Sequence, residues 1–204
     1  RDMSLIRFEY PVWVPEKCTA CSDCYTICPD SAIPGLVNSL SEVFETTIRR
    51  VEKEGKEVKH LRKAVRTLEK KLRDAANAAS EANPILSARP LLLDAIGVTI
   101  ADSDLNAAEK QELRQEFDWF KDSMGEFKFS FVGPYFKQKE AKAKGSGGLY
   151  SITINPYTCK GCMECVQVCD DEALVVEKQT VQALATMRRD WHFWLDLPTT
   201  SPEY

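Results

Sequence analysis

Cys18-Thr19-Ala20-Cys21-Ser22-Asp23-Cys24-Tyr25-Thr26-Ile27-Cys28-Pro29 has a near copy far along the chain, Cys159-Lys160-Gly161-Cys162-Met163-Glu164-Cys165-Val166-Gln167-Val168-Cys169-Asp170. Both runs read C-x2-C-x2-C-x3-C, and together they use all eight cysteines of the 204-residue sequence. A cubane iron–sulfur cluster needs four thiolates converging from different directions. Three cysteines separated by two residues wrap one cluster in a tight loop, and the fourth points away along the start of a helix. In runs of this spacing the fourth cysteine ligates the other cluster. The expectation is therefore two 4Fe-4S clusters with crossed ligation. Cys18, Cys21, Cys24 and Cys169 would hold cluster I, and Cys159, Cys162, Cys165 and Cys28 cluster II.

Two other chemistries use clustered cysteines. A zinc site takes four thiolates from two C-x2-C pairs. It leaves no role for the third and fourth cysteine of each run. Disulfide frameworks scatter their cysteines through secreted chains, whereas repeated two-residue gaps point to metal sites in a reducing compartment. The cytoplasm is the expected location.

Short β-prone segments flank each run. Val12-Trp13-Val14 precedes the first and Ala32-Ile33 follows it; Ile152-Thr153-Ile154 precedes the second and Ala173-Leu174-Val175-Val176 follows it. Pro15 and Pro156 each stand three residues before a first cysteine. Each half reads as strand, cluster loop, short helix, strand. Ile27 and Val168, each just before a fourth cysteine, are placed to exclude water. Pro29 suits the first turn of a helix after Cys28, and Asp170 is a good residue at the matching helix start. Asp170 also adds negative charge that lowers the potential of a nearby cluster.

Between the runs lies a stretch far longer than such a fold requires. Residues 39–79 read as helix, with Val58, Leu61, Val65, Leu68 and Leu72 at alternating three- and four-residue steps. Phe44, Ile48 and Val51 extend the stripe, and Gly55 is its weak point. A second helix is expected from about Ser103 to Met124, capped by Asp102 or Ser103, with the stripe Leu113, Phe117, Phe120 and Met124. Pro84 and Pro90 punctuate the stretch between them, where a short apolar helix is read at Leu91–Ile96. Lys137 to Gly148 is Lys-rich, ends in Gly-Ser-Gly-Gly, and reads as a flexible return. Stripes at helical spacing are usually intramolecular core; partner docking is the alternative. Lys59, Lys63, Arg66, Lys70 and Arg73 form a basic stripe beside the seam.

A further helix is expected from Thr180 to Trp194. Its aromatic group Trp191, Phe193 and Trp194 packs either on the cluster core or on a larger body. His60 and His192 have no ligand set nearby. The fold class is α+β: a bacterial-type ferredoxin fold for two 4Fe-4S clusters, interrupted by a large helical-hairpin insertion. Its first half spans 1–37, the insertion and return linker 38–148, the second half 149–178, and a C-terminal helix and tail 179–204.

The segment from Pro11-Val12-Trp13-Val14-Pro15-Glu16-Lys17-Cys18 through Cys28-Pro29-Asp30-Ser31-Ala32-Ile33 resembles the ferredoxin domain of pyruvate:ferredoxin (flavodoxin) oxidoreductases. Ile152-Thr153-Ile154-Asn155 before the second run is similar too. The resemblance covers about residues 9–35 and 150–177; the insertion stands outside it. It implies an electron-relay role. Such enzymes decarboxylate a 2-oxoacid on thiamine diphosphate and form an acyl-CoA. Electrons then leave through 4Fe-4S clusters to an external ferredoxin or flavodoxin, carriers that are commonly acidic. This stretch would carry the distal pair. No thiamine-diphosphate motif is present, so that cofactor is expected only in the parent enzyme, and no catalytic residue is assigned to this chain. The expected partners are the thiamine-diphosphate domains or subunits and soluble ferredoxin or flavodoxin. The first residue is Arg1 rather than Met, which reads as a fragment or a processed product. The alternatives are a free-standing ferredoxin and a cluster subunit of another redox complex, such as a hydrogenase or quinone reductase.

Nucleic acid is not an expected partner of a chain with net charge −4. No stretch approaches the ~18 consecutive apolar residues of a membrane span.

Overall fold

The computed structural model describes residues 2–83 and 85–204. The first half supplies strand β1 (Glu9–Trp13), a 3-10 turn (Pro15–Lys17), helix α1 (Asp23–Ile27) and strand β2 (Gly35–Ser39). The insertion then runs α2 (Leu40–Lys53), α3 (Leu61–Ser80), β3 (Leu86–Ser87), α4 (Ala88–Ala101), α5 (Ala107–Met124), β4 (Ser130–Phe131) and α6 (Lys137–Lys142). The second half returns with β5 (Gly148–Ile152), α7 (Glu164–Gln167) and β6 (Leu174–Lys178), and α8 (Val181–Asp196) follows.

Two antiparallel pairings tie the halves together. β1 pairs with β6, setting Tyr10 opposite Glu177 and Trp13 opposite Leu174. β2 pairs with β5, setting Val37 opposite Tyr150. The other edge of β5 takes β4, and β4 takes β3, so the second sheet has the order β2-β5-β4-β3. The insertion is thus sewn onto the sheet by backbone hydrogen bonds.

Its long helices have identifiable starts. Ser39 caps α2 through a reciprocal capping box with Glu42, and Asn106 caps α5 in the same way with Glu109. α3 has no side-chain cap of its own residues. The buried carboxylate of Glu116 in α5 instead accepts the N–H groups of Lys59, His60 and Leu61 at 2.6–3.1 Å, satisfying donors that a helix start leaves unpaired.

The insertion differs from the expected hairpin. Four long helices stand where two were read. The stripe across 39–79 breaks after Lys53, because Gly55 adopts φ +79°, a left-handed turn that ends α2. The short apolar helix at Leu91–Ile96 is the middle of a 14-residue α4. α5 starts at Asn106 rather than at Asp102 or Ser103, since only Asn106 has a glutamate three residues on. The Lys-rich return is not a free linker: it contains α6, and the buried Phe136 before it packs on Phe131 at 4.5 Å.

Two apolar cores result. The larger joins Phe44, Leu61, Leu68, Leu72, Phe117 and Phe120 from α2, α3 and α5, so the seam of α3 is intramolecular. The smaller surrounds the cysteines and includes Trp13, Ile33, Tyr150 and Leu174. α8, capped by Thr180, bridges them. Leu184 and Met187 enter the smaller core, and Phe193 enters the larger, 4.9 Å from Phe127. Trp191 and Trp194 stack on each other at 5.1 Å. The tail returns to β2, where Thr200 accepts the Val37 N–H at 2.9 Å and the Asn38 amide donates to the Pro198 carbonyl at 2.8 Å. No helix among the described residues is long and apolar enough to cross a membrane.

Candidate metal centres

The two cysteine loops adopt the same backbone, and it is a costly one. All five non-glycine residues with positive φ among the described residues lie in these loops: Ala20, Ser22, Ser31, Met163 and Glu172. The offset that carries Cys18 to Cys159 carries Ser22 to Met163, Ser31 to Glu172, and Ala20 to Gly161, which also has positive φ. Left-handed residues outside glycine cost about 1–3 kcal/mol each and gather where the surroundings impose them. Gly161 has a second reason to lack a side chain. A Cβ there would stand 2.8 Å from the Glu9 carbonyl.

Cross-links between the halves repeat under the same relation. Val14 donates its N–H to the Ala173 carbonyl, and Asn155 donates to the Ala32 carbonyl. Thr19 donates its hydroxyl to Asp171 at 2.6 Å, and Lys160 pairs with Asp30 at 2.6 Å. The Ala32 N–H donates to the Cys28 Sγ, and the Ala173 N–H to the Cys169 Sγ, both at 3.2 Å.

These contacts bring each fourth cysteine to the other run. Cys18, Cys21, Cys24 and Cys169 line one cavity, together with Trp13 and Leu174. Cys28, Cys159, Cys162 and Cys165 line a second, together with Pro11 and Ile33. Among the described residues no group of three or more His, Cys, Asp or Glu side chains is placed to hold a single metal ion. None of the cysteines is in a disulfide.

Burial pushes the Cys18, Cys24, Cys159 and Cys165 thiols up, and neighbouring cysteines push further; Cys24 and Cys165 rise to about 12. Thiolates gathered this closely in a dry pocket repel one another and require compensating positive charge. An iron–sulfur core supplies it, and binding releases protons. The donor set fits such a group.

Arg7, which the sequence did not single out, is buried at 5 % exposure beside the second cavity. Its guanidinium donates to the carbonyls of Pro156 at 2.8 Å and Cys159 at 2.6 Å. Nothing in its sequence surroundings marks it, because its partners lie some 150 residues away. Two expectations need correction. Cys28 follows α1 in extended conformation, and Cys169 likewise comes after α7. The fourth cysteines therefore end helices rather than start them. Pro29 and Asp170 sit in turns and begin no helix. Ile27 is 45 % exposed and shields its cysteine only in part. The two histidines lie outside both cavities: His60 contacts Glu112 at 2.9 Å, and the His192 ring stacks on Tyr157.

A family model described as a 4Fe-4S binding domain matches residues 10–33. No curated protein and no solved structure matches the chain. The matched residues hold β1, the first cysteine loop and α1, and the chain carries a ferredoxin-type iron–sulfur domain.

Proposed function

We propose that this protein relays electrons through two 4Fe-4S clusters with crossed ligation, as the distal part of a thiamine-diphosphate 2-oxoacid oxidoreductase that reduces a ferredoxin or flavodoxin. The observation that carries the two-cluster reading is the division of eight cysteines into two cavities, each lined by three cysteines of one run and the fourth of the other. The family assignment rests on the Pro11–Ile33 stretch and its resemblance to pyruvate oxidoreductases.

When bound, each cluster supplies a one-electron redox centre. The chain's residues hold and insulate it. Cys18, Cys21, Cys24 and Cys169 anchor one centre, and Cys28, Cys159, Cys162 and Cys165 the other. Trp13, Ile33 and Leu174 keep water from their inner faces. The exposed Cys21 and Cys162 mark the sides nearest a donor or acceptor. Eight free thiols suit a reducing compartment such as the cytoplasm.

Anaerobically purified protein should contain about eight iron and eight sulfide, as two cubanes require. Stoichiometric zinc without sulfide would contradict the proposal. Cys28→Ser should disturb cluster II and spare cluster I in EPR spectra; loss confined to cluster I reverses the assignment.

A further inference from the structure

The two cavities are related by a near-twofold repeat, yet one wall breaks it. Trp13 lines the first cavity, and the repeat places Ile154 at its position in the second half. An isoleucine offers only carbon. Trp13 offers an indole N–H, a donor with no acceptor capacity. Trp13 is 4 % exposed, and its Nε1 is buried without a hydrogen-bond partner. A buried donor without a partner calls for an explanation; Trp194 Nε1 is another, but of the two only Trp13 lines a cysteine cavity.

The side chain is held from several directions. β1 fixes its backbone opposite Leu174. Lys128 of the insertion donates to its carbonyl at 2.7 Å. The Tyr150 ring meets the indole edge-on, centroids 6.1 Å apart. The side chain so held lines the cavity that Cys18, Cys21, Cys24 and Cys169 share.

We propose that the Trp13 Nε1–H donates a hydrogen bond to sulfur at cluster I, and that the equivalent position beside cluster II, Ile154, has no such donor. Hydrogen bonds to the sulfurs are among the terms that set a cluster's potential. A donor binds the more negatively charged state more strongly, so it stabilises the reduced cluster. Trp13 therefore raises the potential of cluster I alone and biases which of two otherwise similar centres holds the electron. Trp13 is a positioning and tuning residue. The inference rests on the two-cluster reading.

Two measurements test it. The first uses the unaltered sequence with 15N-labelled tryptophan. Of the four tryptophans only Trp13 lines a cysteine cavity. Pulsed EPR of the reduced protein should show a 15N coupling, with an exchangeable proton, to one cluster. The second is Trp13→Phe, which keeps an aromatic ring against Tyr150 and removes the N–H. Redox titration followed by EPR should show one midpoint moved downward and the other unmoved. Two intact clusters without an indole coupling overturn this inference alone, as does a Trp13→Phe protein with both midpoints unchanged. Iron and sulfide analysis showing no cluster in the first cavity overturns the two-cluster reading and this inference with it.

Discussion

Leu68, Phe117 and Phe120 in the insertion are at most 1 % exposed and pack in one apolar cluster, whereas Cys18, Cys24, Cys159 and Cys165, at 5–8 % exposure, line two cavities. The insertion follows the ordinary rule that helices bury a stripe. The cysteine core follows another: strained loops, short strands and buried thiols are arranged around two cysteine-lined cavities. Carbon packing stabilises the first region; the expectation for the second is that what the sulfurs bind stabilises it. Burying one large apolar side chain contributes about 1.5–3 kcal/mol, and the insertion has many. The core has few beyond its strands.

The largest effect that would break this comparison is loss of the clusters. In small metal domains the binding free energy is folding free energy. Cluster-free protein should lose the β1–β6 pairing and the fixed loops while keeping most of its helical circular dichroism. Hydrogen exchange should show α2, α3 and α5 still protected. A fully disordered spectrum would show that the insertion depends on the core. The reverse arm is Phe120→Ala, which empties the insertion where Phe44 and Phe117 meet it edge-on at 5.6 and 6.3 Å. It should cost about 3–5 kcal/mol in denaturant unfolding and leave the cluster EPR signals of the folded protein unchanged. Altered signals would mean that the two regions are one energetic unit.

Asp190 sharpens the comparison at the seam. It lines a cavity bounded by Val12 and Trp13 on the core side and by Phe127 and Lys128 on the insertion side. One carboxylate oxygen has no hydrogen-bond partner. Burial raises its pKa to about 6 from 3.8, although Arg189, Lys128 and Arg89 pull it down and Glu126 adds to the rise. A carboxyl with a raised folded pKa favours the fold when protonated. That stabilisation is complete below the unfolded value near 4, is lost as pH climbs through 6, and is absent at pH 7. Asp190→Asn should therefore raise stability at pH 7 by up to about 3 kcal/mol, flatten the pH dependence between 4 and 6, and change little at pH 4. A variant that is less stable at pH 7 would show that the Arg189 ion pair at 3.8 Å outweighs the cost of burying the charge.

The cysteine core was partly legible because its chemistry is local: Val12-Trp13 falls in β1 and Leu174-Val175-Val176 in β6, but the strands read at Ala32-Ile33 and Ile152–Ile154 lie at Gly35–Ser39 and Gly148–Ile152. Its cross-links, Thr19 to Asp171 and Lys160 to Asp30, follow from a repeat visible in the residues. The insertion was less legible. A 3.6-residue stripe shows that α3 buries a face but not against which helix. The cap of α3 comes from Glu116, more than 50 residues away. Two-residue strands such as β3 and β4 have no period to detect. Some misses had a signal. Asn106-x-x-Glu109 spells a capping box that would have placed the start of α5, as Ser39-x-x-Glu42 does at the start of α2, where the sequence reading already begins a helix. Arg7 and the orphan N–H of Trp13 could be found only in three dimensions.

The smallest effect on stability, and the one that bears on partners, belongs to the basic stripe of α3. Its five members have separated. Arg73 is buried and pairs with Glu69 and Glu140, and Lys59 is held by its backbone. Lys63, Arg66 and Lys70 are exposed, and none makes an ion pair among the described residues. The acidic side of α5 does not reach them: Glu116 caps α3, Glu112 contacts His60, and Asp118 pairs with Lys121. Reversing all three to glutamate should therefore shift unfolding free energy by no more than about 0.5 kcal/mol, the usual range for surface changes without partners. If an acidic carrier approaches along this face, the same variant should slow its reduction. The loss should be greatest at low salt and fade as the screening length falls to about 10 Å near 0.1 M. Stopped-flow reduction of an acidic ferredoxin across a salt series separates the outcomes. A salt-dependent loss of rate with unchanged melting makes the insertion a steering surface. An unchanged rate at every salt concentration leaves α3 as scaffold and moves the search for the docking face to Cys21 and Cys162, the two cysteines that reach solvent.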